Sequence, residues 1–253
     1  MRRRFLVLGA GMVAAVVTAA VVTSGASGSA IAGGAPAQPR EVVVAHGDDR
    51  LPSTTAADWV TYADHVVVVT AVSEQRLPPA QIELERGEGL VGRTVDLKVK
   101  EVLWSRDGAP HPAPQSWVYN GAGFTFSDGD TSNFSPVALD ERPRIEAGHQ
   151  YILAIVWEDA HCSEGDKPEP GRWLGLGEGS ELPYDGDVIG QGEYEGQIQT
   201  VEGARTLAED AGLDVGLEEE MVGEGAAALA AKLKVATPGE RQQPKAPATT
   251  SCE

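Results

Sequence analysis

His46, His65, His111, His149 and His161 are the five histidines this chain offers for acid–base or metal chemistry. No two of them stand in an H-x-x-x-H or H-E-x-x-H pair, the spacings that put two imidazoles on one helix face around zinc. His161 is followed directly by Cys162, which is not a zinc-ligand spacing either. Asp128-Gly129-Asp130-Thr131-Ser132-Asn133 sets oxygen donors at positions 1, 3 and 5 of a calcium-type loop. Position 6, where glycine makes the turn, is Asn133, and position 12, where a bidentate glutamate belongs, is Leu139. A solvated loop is the expected reading, and no metal ligand or cofactor is assigned.

Nucleophilic chemistry is equally short of parts. The G-x-S-x-G elbow of serine hydrolases is missing: Gly177-Glu178-Gly179-Ser180 and Thr125-Phe126-Ser127-Asp128-Gly129 both depart from it. Cys162 lacks a strand-to-helix turn that would activate its thiol. The 38 acidic residues are too many for any carboxylate pair to be singled out as an acid–base couple. No catalytic residue is assigned. Trp59, Trp104, Trp117, Trp157 and Trp173 could stack on a ligand, but packing in and around a core is the ordinary use of large aromatics.

The two cysteines, Cys162 and Cys252, are even in number, which in an exported chain favours a disulfide between them. In the chain-entropy model such a closure stabilises a fold by about 4 to 5 kcal/mol. Export itself is expected from the first 32 residues. Arg2-Arg3-Arg4 precede an apolar stretch from Phe5 to Val22, small residues follow, and Ala30-Ile31-Ala32 supplies an A-x-A cleavage site before Gly33. An uncleaved N-terminal membrane anchor is the alternative, because the apolar stretch is long for a signal. Arg2-Arg3-Arg4-Phe5-Leu6 also resembles the core of a twin-arginine signal without its preceding Ser or Thr. The G-x-G-x-x-A pattern at Gly9 to Ala14 lacks the acidic residue and the strand that a dinucleotide site requires, so it is rejected.

Charge narrows the partners. The formal net charge is −18, and without the three N-terminal arginines 38 acidic residues face 17 basic ones. Such a field repels nucleic-acid phosphates and anionic lipid surfaces. The expected partner is an extracytoplasmic protein or a small ligand, with no nucleic acid and no membrane contact after signal cleavage. Hydrophobic residues make up 42% of the chain, enough to build a core.

The elements that would carry any site follow. Thr55 with Asp58 forms a capping pattern for a short helix in which Trp59 and Tyr62 share a face. His65 to Val72 is an almost unbroken β-branched run, as in a strand buried on both faces. Thr94 to Val99 alternates as a half-buried strand, and the break at Lys100-Glu101 before Val102-Leu103-Trp104 predicts a bulge. Glu41 to Ala45 is a short edge strand, and Ser116 to Tyr119, Tyr151 to Trp157, Arg172 to Leu176 and Asp187 to Ile189 complete the strands. Leu77 to Val91 and Gly121 to Gly148 read as irregular excursions, and Gly225 to Ala236 as a closing helix. The fold expected is mainly β, a small antiparallel barrel (OB-like) or sandwich, with a short helix before the first core strand and a C-terminal helix. Its divisions are a signal peptide over 1–32, a linker over 33–52, a β-barrel domain over 53–200, a helical segment over 201–237 and a tail over 238–253.

Three segments carry a resemblance: Ala63-Asp64-His65-Val66-Val67-Val68-Val69-Thr70-Ala71-Val72, Val95 to Trp104, and Ala147-Gly148-His149-Gln150-Tyr151-Ile152-Leu153. The series resembles exported bacterial domains with a TIMP/netrin-like OB barrel. Trp173-Leu174-Gly175-Leu176 followed by Leu182 to Val188 is similar to exported actinobacterial proteins of uncharacterised role. The resemblance covers about Ser53 to Gly190 and implies a fold. Metalloprotease inhibitors of that barrel class present an N-terminal cysteine to zinc, and no cysteine precedes Cys162 here, so that activity is not implied. The function expected is a non-enzymatic binding or interaction module, secreted or at the cell surface. A secreted hydrolase with an acidic site and a membrane-tethered structural domain are the alternatives.

Overall fold

Thr55 opens the first helix, α1 (Ala56–Tyr62), through the reciprocal cap its spacing predicts. Its hydroxyl accepts from Asp58 N at 3.1 Å, and the Asp58 carboxylate accepts from Thr55 N at 2.9 Å. The computed structural model describes residues 41–47, 49, 51–162, 168–211 and 216–242. Before α1 lies β1 (Val43–Ala45); after it come β2 (His65–Arg76), α2 (Gln81–Arg86), β3 (Gly89–Ser105), β4 (Ser116–Phe126), β5 (Ser135–Leu139) and β6 (Gln150–Glu158). The chain continues through β7 (Arg172–Gly175), β8 (Glu181–Pro183), β9 (Gly192–Tyr194), β10 (Gln197–Gln199), α3 (Val201–Ala211), α4 (Leu217–Met221) and α5 (Ala226–Val235).

The fold is mainly β. One large sheet has the order β1-β5-β4-β3-β2-β6-β7, with β8 also paired to β6, and β9 and β10 form a separate hairpin. It is a mixed sheet where a wholly antiparallel one was expected, because β1 runs parallel to β5 with Val43 opposite Val137. The chain reaches that edge from the far end of the sequence, so no hairpin turn dictates the direction. No hydrogen-bonded pairing between β1 and β7 closes the sheet among the described residues.

β2 over residues 65–69 and β6 over residues 151–155 are buried on both faces, as an uninterrupted apolar run requires, while Val72, at the end of the run expected to be buried, is exposed with the residues that follow it in β2. One face, with Val66, Val68, Ile152 and Ala154, packs against Trp59 of α1, Leu217 of α4 and Leu229 and Leu233 of α5. The other, with Val67, Val69, Leu153 and Ile155, packs on Val95, Leu97, Tyr119 and Trp173. The expected bulge is present: Val68 opposes Glu101 while Val69 opposes Val99, leaving Lys100 as the extra residue. A second shift leaves Leu103 unpaired between Trp104 and Val102.

The stretches expected to be irregular hold more order than their composition suggested. Leu77 to Val91 contains α2 and the start of β3, and Gly121 to Gly148 contains the end of β4 and all of β5. Polar residues there sit on exposed faces of real elements, so hydropathy alone misses them. Asp187 to Ile189 is not a strand; Asp185–Asp187 forms a 3₁₀ turn, and β8, β9 and β10 flank it.

The connection from β5 to β6 is pinned by buried charge. Arg93 donates to Ala122 O at 2.6 Å and Ile145 O at 3.0 Å, and pairs with Glu74 at 2.7 Å. Glu193 accepts from the amides of Arg144 and Ile145, each at 3.0 Å, from Gly196 N at 2.7 Å, and from Tyr151 Oη at 2.8 Å. These bonds hold Ile145 at φ 61°, a left-handed conformation that a β-branched residue adopts only under constraint. They also fix where the neighbouring Arg142 emerges.

Candidate functional site

Tyr119 opposes Val95 in the β3–β4 ladder, which turns its side chain to the buried face of the sheet. Glu181 opposes Leu153 at the start of β8, so a carboxylate enters the same interior. Arg142 arrives from the pinned β5–β6 connection. The three side chains meet. Tyr119 Oη donates to Glu181 Oε1 at 2.8 Å, and Arg142 Nη2 donates to Tyr119 Oη at 3.2 Å. Arg142 Nη2 also lies 3.2 Å from Glu181 Oε2 as an ion pair. That second contact has the distance of a hydrogen bond but not its angles, and Oε2 is left buried without a hydrogen-bond partner.

These groups form one wall of a cavity of about 300 Å³, whose other lining includes Leu51, Val156, Leu174 and Leu176 on the apolar side and Asp49 and Asn120 on the polar side. The volume is at the lower end for small-ligand pockets, and the mixture of apolar walls with a few convergent polar groups is typical of them. Gly175 is required here: a Cβ at that position would come within 2.6 Å of Glu181 Oε1. Burial pushes the Glu181 carboxyl above the usual range, against the opposing pull of Arg142 and of the Tyr119 hydrogen bond. Burial also raises the Tyr119 hydroxyl, with the Glu181 charge adding to it. The arrangement can hold a proton on Glu181, accept a hydrogen bond at Oε2, or offer one from Arg142.

Asp49 also lines a second cavity of about 520 Å³, with Glu141, Glu178, Glu218 and Glu219. The Asp49 carboxylate is itself positioned by Glu178 N at 2.8 Å and Ser53 Oγ at 2.5 Å. Burial raises Glu218 well above the usual range, and the charges of Glu219, Glu141 and Glu195 reinforce the shift. Glu178 is raised by burial and by Asp49.

A further polar pair stands elsewhere on the sheet. His65 Nε2 is 2.9 Å from the His111 carbonyl, which can only accept, so the neutral imidazole carries its proton there. Nδ1 then accepts from Ser105 Oγ at 2.8 Å. The ring is buried and packs 5.3 Å from Trp173, so both nitrogens serve packing and register at the His65–Ser105 pair of the ladder.

The residues singled out in the sequence do not converge on the Glu181 cleft. Asp130 Oδ1 accepts from Ser132 N and Oγ at 2.9 and 2.6 Å, bonds local to its own turn. His161 pairs with Glu169 in an isolated antiparallel bridge. Cys162 follows it; Cys252 lies outside the described residues, and so does the expected bridge. The tryptophans divide between the two cores: Trp59 and Trp104 pack on the helix side, Trp117, Trp157 and Trp173 on the other. Tyr119, Arg142 and Glu181 had no spacing signal, since they come from three separate segments. A glutamate placed directly before Leu182-Pro183 was the one irregularity that could have drawn notice.

No family model, curated protein or solved structure matches the chain.

Proposed function

We propose that the protein is an exported, non-enzymatic binding module whose small-molecule site is the Glu181 cleft. One observation carries the assignment of the site: a carboxylate oxygen buried without a hydrogen-bond partner, on a side chain that lines a cavity. Such an atom costs free energy in the native state, on the order of 1–3 kcal/mol, and a ligand donor offsets that cost. Export rests on the arginine-led apolar segment and the Ala30-Ile31-Ala32 site. The OB-like reading of the sheet rests on its long, bulged β2 and β3, since bulges are what coil a sheet toward closure.

Two measurements test this. Intact mass of protein recovered from producing cells is expected to begin at Gly33, two hydrogens lighter before reduction than after it through a Cys162–Cys252 bridge. A full-length mass with free thiols would sink both export and bridge. Thermal unfolding is then followed across a panel of sugars, amino acids and amines. At least one class is expected to raise the midpoint of the wild type and leave Glu181→Gln unmoved; shifts of equal size in both proteins would remove the cleft as the site.

A second reading has its own observation. Glu181 is buried and Asp49 exposed, yet both line one cavity. Two carboxyl groups in unlike environments are the raw material for an acid and a base in glycoside hydrolysis. Release of 4-nitrophenol from a 4-nitrophenyl glycoside, lost in Glu181→Gln, would establish this reading in place of the first.

A further inference from the structure

Resting on the reading of the Glu181 cleft as a small-molecule site, we infer that its ligand is a protonated amine carrying hydroxyl groups, of the amino-sugar class. The floor of the cavity selects the hydroxyl. Glu181 Oε2 lacks a hydrogen-bond donor, but Arg142 Nη2 already stands 3.2 Å from it in poor hydrogen-bond geometry. An ammonium placed there would meet the guanidinium charge, and an anion would meet the carboxylate. A hydroxyl suits both, since it donates to Oε2 and accepts from Arg142. A small swing of the partly exposed Arg142 side chain makes the room. The walls of Leu51, Val156, Leu174 and Leu176 then face the C–H surface of a ring.

The mouth selects the amine. Asp49 lines both this cavity and the larger one, where Glu141, Glu178, Glu218 and Glu219 stand. None of these five carboxylates makes an ion pair among the described residues. Among those residues, too, no three acidic or imidazole groups come together as a metal site would need. A wall of carboxyl groups, each able to meet an ammonium with a hydrogen bond at ordinary distance, suits an organic cation better than a divalent ion that needs a tight cage of ionised oxygens. The Glu181 oxygen is the independent anchor; the acidic wall supplies selectivity.

The test is calorimetric titration of the exported chain with glucosamine, glucose, N-acetylglucosamine and propylamine at low salt. Glucosamine is expected to bind at least about tenfold more tightly than any of the other three. Glu181→Gln is expected to abolish binding of all the sugars. The exposed Asp49→Asn, and the pair Glu178→Gln with Glu218→Gln, are expected to bring glucosamine down to the level of glucose. These rim variants keep the buried floor intact, so they remain informative if Glu181→Gln folds poorly. Equal affinity for glucose and glucosamine overturns the inference and leaves the cleft reading standing. So does tight binding by propylamine alone. If glucosamine fails but a neutral sugar binds in a Glu181-dependent way, the inference falls and the cleft remains; if nothing in the set or the wider panel binds, both fall.

Discussion

Asp64 and Arg106 are joined twice, once through the backbone and once through their side chains. Arg106 N donates to the Asp64 carbonyl at 2.9 Å, and its Nη2 donates to Asp64 Oδ1. The other carboxylate oxygen, Oδ2, accepts from Trp157 N at 2.8 Å. One buried aspartate therefore ties the start of β2 to the end of β3 and to β6, the strands that carry both cores.

Asp64→Ala removes both carboxylate acceptors at once, keeps the backbone bond from Arg106 N, and leaves a guanidinium and an amide unpaired. The expected loss is about 3 kcal/mol, read as a lower urea midpoint with an unchanged slope. A loss below about 1 kcal/mol would show that water replaces the carboxylate and that the latch is not structural.

Glu193→Ala should cost as much or more. Four donors converge on that carboxylate, three of them backbone amides, and it holds Ile145 in its left-handed conformation. About 3 to 4 kcal/mol is expected. Amide exchange offers a local check: Arg144, Ile145 and Gly196 are expected to lose protection ahead of the β2–β6 ladder.

Gly175→Ala forces a methyl against Glu181 Oε1. The carboxylate is fixed by Tyr119, so it cannot yield without breaking that bond. Expected are a stability loss of about 1–3 kcal/mol and the disappearance of Glu181-dependent ligand binding. Unaltered binding in a folded Gly175→Ala protein would place the ligand elsewhere.

The pH dependence has a definite sign. Glu181, Glu193 and Glu218 all titrate above the ordinary glutamate value of 4.5, chiefly through burial. The folded protein then binds more protons than the unfolded chain once pH exceeds that value, so stability declines as pH rises toward and through the raised values. Their contribution is fully present below 4.5 and lost above the folded values. Glu181→Gln and Glu218→Gln should each flatten that decline in urea titrations run from acid to neutral pH; a slope unchanged in both variants would refute the assignment.

Local signals are legible in the chain. The Thr55–Asp58 cap, the apolar run of β2 and the misplaced phase around Lys100 each reflect neighbours within a few residues. α5 was visible in the same way through its helix formers. The short elements β8 and β9 escaped because Glu181 and Glu193 break their hydropathy, and those two glutamates are buried through partners far away in sequence. The cleft escaped for the same reason. Tyr119 and Glu181 are 62 residues apart, and only the strand pairings and a pinned connection bring Arg142 to both of them.

The last described residues return to the first helix. Gly239 N donates to Thr61 Oγ1 at 2.7 Å, and Gln242 N donates to Tyr62 Oη at 3.3 Å, spans of 178 and 180 residues. A chain that emerges amino end first must therefore leave this side of α1 unsealed until the residues that follow α5 have appeared. The closing thread is the last contact to form, so shortening the chain behind α5 is expected to hasten unfolding with little change in the folding rate, even though the sheet itself is untouched.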